Sequence, residues 1–369
     1  MEKTDMTCTF AGVDHPHRPN WEGLIDTITR RGEPDRVYHI ELFLDDEIQE
    51  AIGERYGLYD GLDPADEWYD TQKYLAVQRF VGFDYARTRS GRLVVPFHTQ
   101  VVSDTADLAR GGGRTYQDEH TGPITSWEEF ERYEWPDPVP PENARLLEWY
   151  EKNLPDDMCV LASGTGHFCE FLTWLMGYET LGYMLHDDRA LVKAIADRLM
   201  VYHREQTEFF LQFDRVKAIW GSDDMGFRSG TLISPNDLRE FVLPGHKMLA
   251  EMAHATGRPY LLHSCGNLTE VYPDLLDDVK IDAKHSFEDT IEDVRDLKPT
   301  LGKRIALLGG IDVDFLCRAS EADIRQRVRE TLDVCQPGGG YVLGTGNSVA
   351  NYIPVDNYLA MVDEGMRWG

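Results

Sequence analysis

Six times between residues 159 and 347 a short apolar run ends abruptly in a polar or glycine-rich cluster. The run 159–162 leads into Ser163-Gly164-Thr165-Gly166-His167, 217–220 into Gly221-Ser222-Asp223-Asp224, and 260–262 into His263-Ser264-Cys265-Gly266-Asn267. Further on, 281–284 stops at His285-Ser286, 305–308 at Gly309-Gly310-Ile311-Asp312, and 340–343 at Gly344-Thr345-Gly346-Asn347. Runs of this length, bounded by such residues, suit buried strands. Helical patterns at 171–176, 187–213, 236–256, 271–276 and 321–335 fill the gaps. Two earlier runs, 37–43 and 82–87, bring the expected strands to eight, and strands alternating with helices predict a parallel (β/α)8 TIM barrel.

The remaining segments decorate that barrel. Residues 1–36 read as an N-terminal extension whose helix, 21–31, ends in Arg30-Arg31-Gly32, a basic last turn followed by a glycine stop. Helices are expected at 45–56 and 67–81. An insertion, 90–140, follows the second strand: a hairpin turning at Ser90-Gly91 into 92–97, a flexible tip at Gly111-Gly112-Gly113, a short helix 127–133 capped by Ser126, and a Pro-rich connector 136–141. The glycine triplet has no Lys-Ser/Thr after it, which excludes a phosphate loop. We find no internal repeat, and the expectation is a single barrel domain over 1–369.

Composition narrows the partners. A net charge of −28 in 369 residues opposes nucleic acid, whose phosphates need a basic footprint. Six cysteines lack disulfide-scaffold spacing, and Met1-Glu2-Lys3-Thr4-Asp5 has no apolar leader core. A reduced cytoplasm is expected. No window approaches the roughly 18 apolar residues of a membrane span.

In a barrel of this kind the site is built at the C-terminal ends of the strands. That rule gathers Asp223, Asp224, His263, Cys265, His285, Asp312 and Asn347. His263 and Cys265, at i and i+2, project on one side of the chain, and imidazole with thiolate suits zinc, which in catalytic sites takes three protein ligands and leaves one position open. The plainer alternative is a hydrogen-bonded histidine beside an inert buried thiol. On the first strand His39 and Glu41 share a face, as site members or as a satisfied polar pair. The candidate catalytic residues are Glu41, Asp223, Asp224 and Asn347; the candidate substrate-binding residues are His39, His167, His285 and Asn267.

Arg31-Gly32-Glu33-Pro34-Asp35-Arg36, Ser234-Pro235 with Glu240-Phe241, His263-Ser264-Cys265-Gly266-Asn267 and Leu308-Gly309-Gly310-Ile311-Asp312 together resemble the uroporphyrinogen decarboxylase superfamily. The resemblance implies a distorted (β/α)8 barrel. It also implies one of two chemistries, decarboxylation or corrinoid-dependent methyl transfer. The decarboxylases' arginine-rich segment after the first strand is here Leu42-Phe43-Leu44-Asp45-Asp46-Glu47, which would repel a polycarboxylate. Ser90-Gly91 stands where they carry Ser-Asp, and Gly346-Asn347-Ser348 where they carry Gly-His-Gly. His263-x-Cys265 resembles the methyltransferase branch, in which His, Cys and a distant second Cys hold zinc. The place of that second Cys is Asn347, and Cys317 and Cys335 lie on other elements, so the third ligand is expected from Asp223, Asp224 or Glu41. An oxygen ligand makes a harder zinc, suited to a methoxy or amine substrate. The resemblance thus implies a zinc-assisted methyltransferase that exchanges a methyl group between a small donor or acceptor and a corrinoid protein. A decarboxylase of a different acid, and a non-catalytic tetrapyrrole or corrinoid carrier, are the alternatives.

Overall fold

The computed structural model describes residues 17–88 and 96–368; Cys8, the turn at Ser90-Gly91 and most of the run 92–97 lie outside the described residues. Seven of the eight expected strands form: β1 Tyr85–Arg87, β2 Cys159–Thr165, β3 Val216–Ser222, β4 Tyr260–His263, β5 Ala283–His285, β6 Ala306–Leu308 and β7 Tyr341–Val342. Six helices matter below: α1 Phe168–Met176, α2 Arg189–Phe210, α3 Leu243–Ala255, α4 Val313–Arg318, α5 Glu321–Cys335 and α6 Val355–Arg367. The chain packs as two compact units. A central unit takes in Arg87–Asp104 and Gly111–Ser286; a terminal unit takes in the described residues up to Ala86, Thr105–Arg110 and the chain from Phe287 onward.

In the central unit β2, β3, β4 and β5 pair in parallel, in that order. The registers Ser222↔His263 and His263↔His285 set three strand ends abreast. Residues in one row of a parallel sheet point to the same face, so the sheet itself brings the two imidazoles together. Helix α2 buries Leu191, Val192, Ile195, Leu199, Tyr202, Gln206 and Phe210, a helical stripe facing the core. The helix expected at 187–213 forms as α2, Arg189–Phe210, whereas the one expected at 236–256 is divided. Asp188 ends one helix, Tyr178–Asp187, and caps the next by accepting the Leu191 N–H. Pro244, which has no N–H to donate, stands in the first turn of α3, after the separate helix Pro235–Phe241. Ser234 caps that helix through the Asp237 N–H. Within the insertion the antiparallel ladder joins Thr99–Val102 to Arg114–Gln117, later than the expected hairpin.

The terminal unit holds β6 and β7, paired in parallel. Arg325 on α5 binds Asp363 at 2.7 Å and Glu364 at 3.2 Å on α6. The expected first strand, 37–43, is reduced to isolated bridges, His39↔Leu343 and Leu44↔Val349. Residues 37–42 are all buried, and the Glu41 N–H goes to the Tyr85 hydroxyl at 2.9 Å. A side chain has taken a ladder bond, and the alternation that marks a half-exposed strand is lost. Among the described residues no helix is long and apolar enough to cross a membrane.

Candidate metal centre

Strand β4 ends at His263, and the chain then turns through Ser264 to Cys265; β3 ends two residues before Asp224. One ligand atom from each of Asp224, His263 and Cys265 lies within 4.8 Å of the others. His263 Nε2 is 3.4 Å from Asp224 Oδ1 and 3.5 Å from Cys265 Sγ. A tetrahedral zinc with bonds of about 2.0–2.3 Å sets its ligand atoms roughly 3.3–3.7 Å apart. The two separations at His263 meet that requirement, and three protein ligands leave a fourth position for a substrate atom.

The loop is fixed by its own backbone. Cys265 N–H donates to Asp224 Oδ1 at 2.9 Å, and Asp223 N–H donates to the His263 carbonyl at 2.9 Å. Gly226 lies so close to the loop that a Cβ there would meet the Cys265 carbonyl oxygen at 2.7 Å. Burial works against the charge of Asp224, but hydrogen bonds and charge from His263 and the Cys265 backbone outweigh it and hold the carboxyl well below its usual range. A carboxylate stays ionised there, ready to bind a cation.

The adjacent Asp223 has a different situation. Its carboxylate is fully buried and accepts the N–H groups of Cys169 and Glu170, each at 2.9 Å, in the first turn of α1. His246 Nε2 lies 2.9 Å from it, and His246 Nδ1 lies 2.8 Å from the Tyr260 hydroxyl. Asp223 therefore caps a helix and anchors a buried histidine, an occupation that the sequence reading as a catalytic group did not foresee.

His167 precedes α1, with Nδ1 2.7 Å from Glu170 Oε2; burial lowers its pKa to about 4. Glu170 was missed by sequence reading. Burial first, then the charges of Asp224 and Asp223, push its carboxyl well above the ordinary value. An acid three residues beyond a strand-end histidine, in the first turn of a helix, was the available signal. His285 has its pKa pushed well below normal by burial and by His263, Lys284 and Arg87. Asn267 uses its side-chain oxygen locally, accepting the Thr269 N–H at 3.0 Å, the turn geometry that asparagine favours.

Three sequence candidates belong to the terminal unit. Glu41, a candidate catalytic carboxylate from the sequence, is buried, and its carboxyl is held by the Thr345 N–H at 3.0 Å and by the Thr345 hydroxyl. Burial raises its pKa to about 8. His39 is also buried, with its pKa lowered to about 3 by desolvation. Asn347 accepts the Ser348 N–H at 2.8 Å and lines a cavity of about 920 Å³ with Asp312, Phe315, Arg318 and Tyr352. The acidic segment after the first run binds a cation of its own: Arg110 reaches Glu47 at 2.9 Å and Asp45 at 3.2 Å.

Comparison with known proteins agrees with this architecture. A methylated-thiol--coenzyme M methyltransferase of Methanosarcina mazei is 30% identical over 161 residues, 42% of this chain. That match spans 41% of the relative's length. A solved methyltransferase structure from Methanosarcina mazei superposes with a TM-score of 0.67 at 16% identity, over 93% of this chain and 97% of that one. At that identity the likeness is one of fold, and it supports the distorted TIM barrel. The family pattern described as Uroporphyrinogen decarboxylase (URO-D) matches residues 113–368, more than half of the sequence, and the chain belongs to that family.

Proposed function

We propose that this protein is a methyltransferase that moves a methyl group between a small methylated substrate and a corrinoid protein, with zinc held by His263, Cys265 and Asp224. The observation that carries the reading is the gathering of one nitrogen, one sulfur and one carboxylate oxygen within 4.8 Å of one another, with both separations at His263, 3.4 and 3.5 Å, suited to a single tetrahedral ion. Similarity to a methylated-thiol--coenzyme M methyltransferase supports the same choice over decarboxylation. So does the acidic segment Asp45-Asp46-Glu47, where an arginine clamp for a polycarboxylate would stand.

When bound, zinc would supply a Lewis acid that stabilises negative charge on the heteroatom the methyl group leaves or joins. The chain's own residues do the rest. Asp224 and Cys265 bring two negative charges to the ion, and His263 contributes a neutral nitrogen, so the ligand set balances the metal's charge. Carboxylate oxygen as the third ligand makes the centre harder than a two-thiolate site would be and favours oxygen or nitrogen substrates. His167 and Glu170, 2.7 Å apart, border this set through their interactions with Asp224 and His263, and the raised pKa of Glu170 favours its holding a proton there. Asp223, by fixing α1 and His246, keeps that border in position.

The test measures metal content and methyl transfer together. Purified protein should contain close to one zinc per chain and should methylate reduced cobalamin from a methoxy, methylamine or methylated-thiol donor. His263→Ala, Cys265→Ala and Asp224→Ala should each lose zinc and transfer while retaining the wild-type circular dichroism. Full zinc retention in all three variants would overturn the ligand assignment. Release of carbon dioxide from a carboxylic acid, with no methyl transfer, would overturn the reaction.

A further inference from the structure

The last residue of β5 and the one after it touch the two soft ligands of the candidate centre. His285 Nδ1 lies 2.8 Å from His263 Nδ1, and the Ser286 hydroxyl donates to Cys265 Sγ at 3.4 Å. Both are buried. Two imidazole nitrogens at that distance share one proton, and its position is decided by the other edge of His263. With a metal held between His263 Nε2, Asp224 and Cys265, Nε2 would offer its lone pair and the proton would belong on Nδ1. His285 Nδ1 is then the acceptor. Its own proton falls on Nε2, a buried nitrogen without a hydrogen-bond partner among the described residues, packed edge-on with Trp220 at 5.5 Å between ring centroids.

Ser286 occupies a backbone position that serine rarely takes. Its φ is +86°, in the left-handed region that favours glycine. The buried Lys284 ammonium donates to the Ser286 carbonyl at 2.5 Å, and the His285 carbonyl accepts the Ser264 N–H at 3.3 Å. A strained conformation kept by serine, with its hydroxyl aimed at a candidate ligand, is the pattern of strain held for a function.

We propose that His285 and Ser286 are paired positioning residues of the metal centre: His285 fixes His263 as the Nδ1–H tautomer, and Ser286 donates to the Cys265 thiolate. They act through the ligands, and neither binds the substrate. The first interaction raises the donor strength of the imidazole, and the second draws charge from the sulfur. The two ligands are tuned in opposite directions by adjacent residues. This inference rests on the metal-centre reading above.

The experiment compares wild type, His285→Gln, His285→Phe and Ser286→Ala, with zinc affinity read by competition against a chromophoric chelator. Loss of an outer-shell partner typically costs 10–100-fold in metal affinity, and that loss is expected in His285→Phe. In His285→Gln the amide oxygen can accept the same Nδ1 proton, so affinity should return to within a few-fold of wild type. Ser286→Ala is read in the cobalt(II)-substituted protein. Its sulfur-to-cobalt charge-transfer band should move to lower energy while the ligand-field bands keep their intensity. A void left by a merely structural residue would move neither the glutamine rescue nor the charge-transfer energy. Equal affinities in the glutamine and phenylalanine variants, or an unmoved band in Ser286→Ala, would overturn the inference while zinc binding by wild type stood. Absence of zinc binding by the wild type would remove the metal-centre reading and this inference with it.

Discussion

Asp223 and Asp224 are adjacent in sequence and opposite in fate, because successive residues at a strand end point to opposite sides. One faces the helix packed behind the sheet; the other faces the ligand loop. We predict that Asp223→Ala destabilises the fold by about 3–5 kcal/mol, the usual cost of removing one partner from a buried charged network. Asp224→Ala should change the melting temperature of the metal-free protein little and lower zinc affinity instead. Thermal melts of both apo variants check this, and a reversed order would contradict the assignment. Glu41 gives a prediction with a definite sign. Its carboxyl titrates near 8 in the folded chain, against an ordinary value of 4.5. Between those values the unfolded chain has released the proton and the folded chain has kept it, so stability falls as pH rises through the window and levels off above it. Glu41→Gln keeps an acceptor for the Thr345 N–H and a donor for its hydroxyl without the ionisation. Its advantage over wild type should widen steadily from about pH 5 to about pH 8, as that linkage requires. A difference in melting temperature that stays constant with pH would show that Glu41 does not titrate there.

At the scale of elements, the strand ends were legible because each apolar run stops at glycine or a polar residue, and a buried strand has few other ways to stop. What was not legible follows from competing local chemistry. The stretch 37–43 carries the apolar content of a strand, yet its ladder is interrupted by a phenol from a residue 44 positions away, which no local pattern announces. Pro244 was visible and should have divided the helix expected at 236–256, since a missing N–H is a property of the sequence. His263-x-Cys265 was readable as a half site. The proposed third ligand, Asp224, could be narrowed only to one of three carboxylates, because choosing among them needs the register between β3 and β4. The support at His285-Ser286 depends on the next register and on a positive φ, and neither leaves a trace in composition. The short hairpin of Gly226–Phe227 with Gly230–Thr231 presses its backbone onto Gly266, where a Cβ on either glycine would meet the other's backbone at under 3 Å. Gly226→Ala should therefore shift the ligand loop and weaken zinc binding without unfolding the protein. Unchanged zinc affinity in that variant would show that the loop holds its geometry without the hairpin.

For the whole molecule, a charge of −28 means that the folded chain carries substantial self-repulsion, which salt screens over about 10 Å at 0.1 M. Raising the salt concentration should raise the melting temperature, and a fall would show that specific ion pairs such as those of Arg325 outweigh the general repulsion. The family membership reached from scattered motifs holds over residues 113–368, while the proposed chemistry rests on three candidate ligand atoms. Zinc K-edge X-ray absorption on the loaded wild-type protein measures those atoms directly. A four-coordinate first shell is expected, with one sulfur at about 2.3 Å and the remaining nitrogen and oxygen neighbours at about 2.0–2.2 Å, and loss of the sulfur shell in Cys265→Ala. Two sulfur neighbours, or a shell of nitrogen and oxygen alone, would contradict it.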